Sequence, residues 1–383
     1  MPKRILLTGG GTGGHISPLL AVAHQLKKAD PDCYVIYAGE RNGRFAHMTD
    51  GNADIDKIVT IFAGKFRRYH GESWLRRLLD LKTIALNIRD AVYIVLGIIQ
   101  GIFLVKKLRP DVVLLKGGFV GVPIGVASAF WRKPFVTHDS DAMPGLANRL
   151  VAKWAVYHAT GMPAEFYTYP PESVRYVGVL TTADYKPVDA HLQAQYKKEL
   201  SLPGKSRVLM ITGGSTGARR LNDGMRQVVP GLLQDYADLF VIHQVGKGQA
   251  DTYGDFSHER LEVLEFLQPL YRYSGAADVV VTRAGANALA EFGVQGKACV
   301  VVPNPLLTGG HQLKNAENLV RHNAVLVVDE ADFKRDTSAL DAAIRSLLQD
   351  PERRQKLASK LQDISIPDAS RKLALLLLEV QTK

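Results

Sequence analysis

The chain has 383 residues, 46% of them hydrophobic, and a formal net charge of +10 at neutral pH. That length exceeds what one hydrophobic core usually organises and predicts two α/β-sized domains, while two cysteines, Cys33 and Cys299, far apart and in apolar surroundings, exclude a disulfide framework and read as buried thiols in a reducing compartment. The charge asks for an anionic partner, a phosphorylated substrate or an anionic membrane surface; with no aromatic RNP box and no zinc-finger spacing, nucleic acid is not expected.

The start, MPKRILLTGGG, passes from a basic pair directly into a strand candidate at residues 4–7, without the apolar core of a signal peptide, and the protein is expected in the cytoplasm. Gly9-Gly10-Gly11-Thr12-Gly13-Gly14-His15 then leaves that strand and opens a helix. Glycines let backbone N–H groups approach a ligand closely, and a helix N-terminus favours negative charge, so the loop suits a diphosphate or a developing oxyanion. It is neither GxGxxG nor a phosphate-binding loop ending in Gly-Lys-Ser/Thr. His15, directly after it, is either a general base on an acceptor hydroxyl, its ordinary pKa being about 6.5, or a brace for the loop.

Residues 65–109 mix basic side chains, among them Arg67, Arg68, Arg76 and Arg77, with Trp74 and an apolar run over 91–105 that Gln100 interrupts. The run is shorter than the roughly 18 to 20 residues of a spanning helix. Two readings stand: a segment lying on an anionic leaflet, or a buried crossover helix with solvated charges. Strand candidates follow at 34–37, 112–115 and 135–137, separated by helix-length stretches, which implies a parallel sheet with helical crossovers.

Beyond a proline- and charge-containing boundary at 181–205 the pattern restarts, with strand candidates at 207–211, 240–245, 279–281 and 299–302. RVLMITGGSTGARRLN echoes RILLTGGGTGGHIS, so a second anion-binding turn is expected, with the Ser215 hydroxyl available to phosphate. Arg283 to Glu291 leaves a strand and enters a helix, which places the Glu291 carboxylate where it can accept ribose hydroxyls; a solvated surface glutamate is the alternative. PNPLLTGGHQLKN brings His311, Gln312 and Asn315 to a helix start, where amides can read sugar hydroxyls. No metal is expected. The predicted fold is α/β, two facing doubly wound Rossmann-like domains over 1–185 and 186–365, with a terminal helix in 366–383 packing back on the first.

These motifs carry a resemblance. GGGTGGHISPLLAVAHQL, KGGFVGVP, HDSDAMPGLANRLVA, ITGGSTGARRLN, HQVGKG, EFL, ADVVVTRAGANALAE, GGHQLKNA and SIPDA stand in the order of the MurG-type undecaprenyl-diphospho-muramoylpentapeptide β-N-acetylglucosaminyltransferases, which the chain resembles over nearly its whole length. The resemblance implies a GT-B architecture with the donor crevice between the domains. It also implies inverting transfer of N-acetylglucosamine from UDP-N-acetylglucosamine to an undecaprenyl-diphosphate-linked muramoyl peptide, no metal, no cofactor, and a peripheral place on the cytoplasmic face of the membrane. By position, Thr12, Gly13 and Gly14 would face the donor, Ser215 would contact its diphosphate and the Leu267 backbone would pair with uracil. Ala286, Asn287, Ala288, Leu289, Ala290 and Glu291 would hold phosphate and ribose, with Gln312 and Asn315 at the amino sugar.

The chain departs from the family at two donor-binding positions. It has HDS followed by Asp141 where the family has an asparagine after HEQ, and Gly178-Val179-Leu180-Thr181-Thr182 where an arginine follows GNPV. The rivals are another GT-B transferase on a different lipid acceptor, a UDP-sugar epimerase, and a catalytically silent UDP-sugar-binding scaffold at the membrane.

Overall fold

A computed structural model of the chain describes residues 2–11, 13–43, 46–65, 81–214, 217–305, 310–331, 333 and 335–381. Thr12, Ser215, Arg67, Arg68, Trp74, Arg76 and Arg77 lie outside the described residues. The chain divides into two compact units, Met1–Thr182 with Asp368–Lys383, and Ala183–Pro367.

The first unit holds a parallel sheet of β1 (Arg4–Thr8), β2 (Tyr34–Glu40), β3 (Lys57–Ile61), β4 (Val112–Leu115), β5 (Phe135–Asp139), β6 (Tyr157–Thr160) and β7 (Val174–Tyr176), in the order β3-β2-β1-β4-β5-β6-β7. Its helices are α1 (Gly13–Ala29), α2 (Leu81–Leu108), α3 (Gly121–Phe130) and α4 (Leu146–Val151). The central strands are buried along both faces, as VVLL in β4 requires, because helices cover each side of a parallel sheet. Strand order reverses between β1 and β4, whose register pairs Thr8 with Leu115. Their carboxyl ends therefore form a topological switch point, the place where open α/β sheets bind ligands.

The second unit repeats the plan with β8 (Arg207–Thr212), β9 (Leu239–Gln244), β10 (Leu261–Leu264), β11 (Val279–Thr282), β12 (Ala298–Val301) and β13 (Leu326–Val327), in the order β10-β9-β8-β11-β12-β13. Around them lie α5 (Ala190–Glu199), α6 (Arg219–Asp235), α7 (Leu270–Ala276), α8 (Ala286–Val294), α9 (His311–Arg321), α10 (Ser338–Gln349) and α11 (Pro351–Asp363). The switch point lies between β8 and β11, where Thr212 pairs with Thr282. The last helix, α12 (Ala369–Glu379), packs on α1 in the first unit, tied by Lys3 Nζ donating to the Leu378 and Val380 carbonyls and by Ser370 Oγ donating to Thr181 O at 2.9 Å.

Helix α2 corrects the sequence expectation about its length. The apolar run is embedded in 28 helical residues, long and apolar enough to cross a bilayer by length and composition, because helix geometry carries on through the polar flanks. Packing supplies the distinction that length does not. Asp90, Gly97, Gly101, Val105 and Leu108 share one face turned into the unit, where a Cβ on Gly97 would lie 2.0 Å from the Phe62 carbonyl oxygen and one on Gly101 would lie 3.0 Å from that of Pro123. The opposite face exposes Ile88, Val92, Val95, Leu96, Ile99 and Phe103, the last 69% accessible. Both faces of α2 are apolar, and among the described residues only one is covered.

Candidate active site

In the first unit the glycine-rich loop joins β1 to α1. Gly11 has φ +85°, and a Cβ there would lie 2.5 Å from the Phe119 ring, so only glycine permits this approach to the turn after β4. Gly13 and Gly14 begin α1, whose first turn carries no acidic residue, so the positive end of the helix suits an anion. His15, one residue further and part-buried, is hydrogen-bonded to the Gly10 backbone. Burial brings its pKa down to about 4; Lys116 adds to that, and Asp141 and the Gly10 bond oppose it. The imidazole is neutral at physiological pH, the state a base requires.

Lys116 is the first residue after β4, nearly inaccessible, with Nζ donating to Ser140 Oγ at 2.8 Å. Burial lowers its pKa to about 8 against the pull of Asp139 and Asp141. Asp139, at the end of β5, organises the HDSDAMPGLAN loop by accepting from Gly145 N at 2.8 Å, Asn148 Nδ2 at 2.9 Å and Tyr169 OH at 2.8 Å. Asp141 belongs to this group around His15, its carbonyl accepting from Tyr167 OH at 2.8 Å.

In the second unit the turn from β8 into α6 uses Gly214 at φ +84° and Gly217 at φ +72°, closed by Gly217 N donating to Gly214 O at 2.9 Å. It is braced from β9: Thr212 Oγ1 donates to Gln244 Oε1 at 2.6 Å, and Asn222 Nδ2 donates to Val245 O at 2.8 Å. Buried His243 lies between Asn222 and Tyr253, which accounts for the HQVGKG and ARRLN motifs as one support for the turn. A cavity of about 300 Å³ opens beside it, lined among others by Gly213, Arg219, Arg220, Arg283, Asn304 and Gln312. Glu330 holds this wall, pairing with Arg283 at 2.5 Å and with Arg220 at 3.2 Å. Two arginines on the first turn of α6, with the helix N-terminus, give the cavity the character of a diphosphate site.

Gln312 lines that cavity with its Oε1 accepting from Asn304 N at 2.9 Å. Asn315 is fully buried and its Nδ2 donates to Ala284 O at 3.0 Å, bracing the turn before α8. The Leu267 side chain is buried in the same core cluster as Ala284 and Leu289. Ala286 is buried with Leu289, while Asn287, Ala288 and Ala290 are part-exposed. Glu291, also part-exposed, accepts a hydrogen bond from the Tyr185 hydroxyl, and burial raises it to about 7. The solvated-glutamate alternative does not describe such a group. Among the described residues no group of three His, Cys, Asp or Glu side chains is placed to hold a metal ion.

The structure thus gathers His15, Lys116 and Asp141 in one unit and Gln312, Arg219, Arg220 and Arg283 in the other. Tyr185, Lys116, Arg220 and Glu330 escaped sequence reasoning, because a lone tyrosine, lysine, arginine or glutamate carries no spacing signal. Lys116 does open one quoted motif, and Arg283 lies inside another, at the ends of the strands beside each switch point.

The glycosyltransferase family 28 N-terminal domain matches residues 5–159 and the C-terminal domain of the same family matches residues 208–373. A UDP-N-acetylglucosamine–N-acetylmuramyl-(pentapeptide) pyrophosphoryl-undecaprenol N-acetylglucosamine transferase of Symbiobacterium thermophilum is 33% identical, over 97% of this chain and 94% of that protein. The protein of the same name from Geobacillus kaustophilus is 32% identical, over 94% of each chain. In fold, the crystal structure of Acinetobacter baumannii MurG superposes with a TM-score of 0.72 at 22% identity, over 99% of this chain and 100% of that one. On a switch-point glycine turn in each sheet and on sequence likeness along the whole length, the chain belongs to glycosyltransferase family 28.

Proposed function

We propose that the protein transfers N-acetylglucosamine from UDP-N-acetylglucosamine to a hydroxyl of the undecaprenyl-diphosphate-linked muramoyl pentapeptide, with inversion and without a metal. The observations that support this reading are a neutral histidine at the glycine turn of the first unit and, within the second unit, a basic, amide-lined cavity at its own glycine turn. The acceptor hydroxyl attacks the anomeric carbon as His15 takes its proton; the bond from that carbon to the diphosphate oxygen breaks, and UDP leaves with the electron pair. The negative charge developing on the diphosphate is met by the N-terminus of α6, Arg219, Arg220 and the glycine-turn N–H groups, the work a metal does elsewhere. Glu291 and the Ala286-to-Ala290 turn hold ribose and phosphate, Leu267 the uracil, and Gln312 and Asn315 the amino sugar; Thr12, Gly13, Gly14, Asp141 and Ser215 complete the donor contacts. Turnover is expected only when UDP-N-acetylglucosamine and the lipid-linked muramoyl acceptor are both present, and to persist in excess chelator. UDP release with a different lipid acceptor alone, or loss of turnover that manganese or magnesium restores, contradicts the reading.

Glu291→Ala is expected to weaken UDP binding by roughly 1 to 3 kcal/mol with the fold intact, the cost of leaving ribose hydroxyls without a charged acceptor. Because burial raises this carboxyl from 4.5 to about 7, UDP binding to the parent competes with a proton. Affinity should rise with pH up to about 7 and level off above it, falling by up to roughly tenfold per unit below. Calorimetry across that range checks it: a pH-independent affinity in the parent removes Glu291 from the ribose.

The same reading places the reaction at an anionic membrane surface, with the uncovered face of α2 as the docking element. Ile88, Val92, Val95, Leu96, Ile99 and Phe103 present a continuous apolar stripe, and exposed Phe130 at the end of α3 adds to the unit's apolar surface. Arg89, Lys106, Lys107 and Arg109 bracket the stripe along the chain, which suits an acidic leaflet and not a neutral protein groove.

A further inference from the structure

A cavity of about 580 Å³ opens in the first unit beyond the carboxyl ends of β2 and β3, lined among others by Gly11, Glu40, Arg41, Phe62, Arg89 and Tyr93. Its volume is that of a small-molecule site. Arg41 follows β2 and is tied to the end of β3 by its N–H, which donates to Ile61 O at 2.9 Å. Its guanidinium lies over the Phe62 ring, 4.7 Å from the centroid, and among the described residues it has no carboxylate partner. The Phe62 ring in turn meets Tyr93 of α2, centroids 5.7 Å apart, and the Arg89 guanidinium lies 5.6 Å from the Tyr93 centroid. Two guanidinium groups are thus mounted on one pair of neighbouring rings, which support their flat faces and leave N–H edges for a ligand. Arg89 is oriented by Asp90, 2% accessible, whose Oδ1 accepts from Nε at 3.0 Å and from Nη2 at 2.8 Å, so that Nη1 remains for a ligand. Gln100, the polar break in the apolar run, keeps this wall in place: its Oε1 accepts from Phe62 N and its Nε2 donates to Thr60 O, both at 2.9 Å.

We propose that this cavity seats the diphosphate of the lipid-linked acceptor, held by Arg41 and Arg89, with the attached sugar reaching toward the glycine-rich loop. The inference rests on the proposed transfer reaction and gives the acceptor a phosphate site apart from both glycine turns. Planar guanidinium groups match phosphate oxygens bidentately, and fixing them on rings removes much of the side-chain entropy that such pairing otherwise loses. Two neighbours decide which part of the acceptor lies here. On one side Val92 and Leu96, flanking Tyr93 along α2 and exposed, begin the uncovered apolar face, on which a polyprenyl chain can lie. On the other, Gly11 belongs to the loop that carries His15. In such an acceptor the diphosphate is the group between lipid and sugar, and the cavity is the space between these two features. It is too roomy for phosphates alone. Glu40, at the end of β2, is a carboxylate suited to a sugar hydroxyl and not to a phosphate, so part of the sugar belongs in the cavity as well.

The test is calorimetry on the full chain with geranyl diphosphate as the probe, in saturating UDP so that the cavity of the second unit is filled. Arg41→Gln and Arg89→Gln should each weaken geranyl diphosphate binding about tenfold, while UDP affinity, measured separately, stays within about twofold of the parent. In turnover each variant should raise KM about tenfold for a short, water-soluble acceptor that keeps the diphosphate, with kcat little changed. For the same muramoyl sugar carried on a neutral alkyl group, KM should be that of the parent. A merely structural role of the arginines would raise KM for both acceptors alike, and that result overturns the proposal. Unchanged geranyl diphosphate affinity in Arg41→Gln overturns it as well, and if that variant loses binding to phosphatidylglycerol vesicles instead, the arginine serves lipid headgroups. Should Arg89→Gln fail to fold, Arg41→Gln decides alone. If geranyl diphosphate binds through Arg41 and Arg89 but the parent transfers no N-acetylglucosamine to the muramoyl acceptor, the diphosphate site stands and the proposed transfer reaction falls.

Discussion

His15→Ala is expected to lower kcat by roughly 10² to 10⁴-fold, the usual contribution of a positioned general base, while leaving UDP affinity within twofold of the parent. The expectation follows from where the side chain sits. It is the third residue of α1, hydrogen-bonded to Gly10, part-buried and neutral, at the switch point of the first sheet. UDP is assigned mainly to the second unit and His15 is not among the donor contacts, so the variant should separate chemistry from binding. Stopped-flow or steady-state UDP release under saturating donor and acceptor measures it. A loss below about fivefold would reduce His15 to a brace for the glycine-rich loop, and a parallel loss of UDP affinity would mean that the imidazole contacts the donor instead of the acceptor hydroxyl.

The second large effect concerns the uncovered face of α2. Val95→Ser, Ile99→Ser and Phe103→Ser combined should abolish binding to vesicles containing anionic lipid. Each apolar side chain that leaves water contributes about 1 to 2 kcal/mol, so the three together account for roughly 3 to 6 kcal/mol. Turnover on the long-chain lipid acceptor should fall with it, and turnover on a short, water-soluble acceptor should change little. The fold should survive, since these positions lie opposite Gly97, Gly101 and Val105, which make the packing contacts of the helix. Neutralising Arg67, Arg68, Arg76 and Arg77 should weaken the same binding by about 1 kcal/mol per residue, an effect that added salt shrinks. The apolar variant should be insensitive to salt, and that contrast distinguishes insertion from charge attraction. Unchanged vesicle binding in the apolar variant would exclude α2 as the docking element.

Much of this molecule was legible in its sequence. Both glycine turns, the strands that lead into them, and the placement of Glu291 and Gln312 on helix starts follow from local pattern, because a buried parallel strand must be apolar on both faces and an anion site needs small residues before a helix. The eight strand candidates are found at β1, β2, β4, β5, β8, β9, β11 and β12, the inner strands beside the two switch points. Those that sequence reasoning passed over are β3, β7, β10 and β13, all at sheet edges, and β6, whose Tyr-His-Ala-Thr is polar. An edge strand is covered on fewer sides and tolerates exposed residues, as Lys57, Ile58 and Thr60 are in β3, so its apolar signal is diluted.

Only the tertiary structure decided the remainder. That α2 is bound into the first unit through two glycines, with its other apolar face uncovered, depends on where the Phe62 and Pro123 carbonyls lie, and no periodicity contains that. That Tyr185 reaches Glu291, Glu330 reaches Arg220 and Arg283, and Lys116 reaches the Ser140 turn beside His15 likewise depends on contacts between residues 24 to 110 positions apart. Local sequence specifies which backbone conformation and which degree of burial a segment prefers. The protonation of His15, Lys116 and Glu291 is set by desolvation and by charges that only the folded chain brings within a few ångströms, because Coulomb interactions of this strength do not survive in the water surrounding an extended chain.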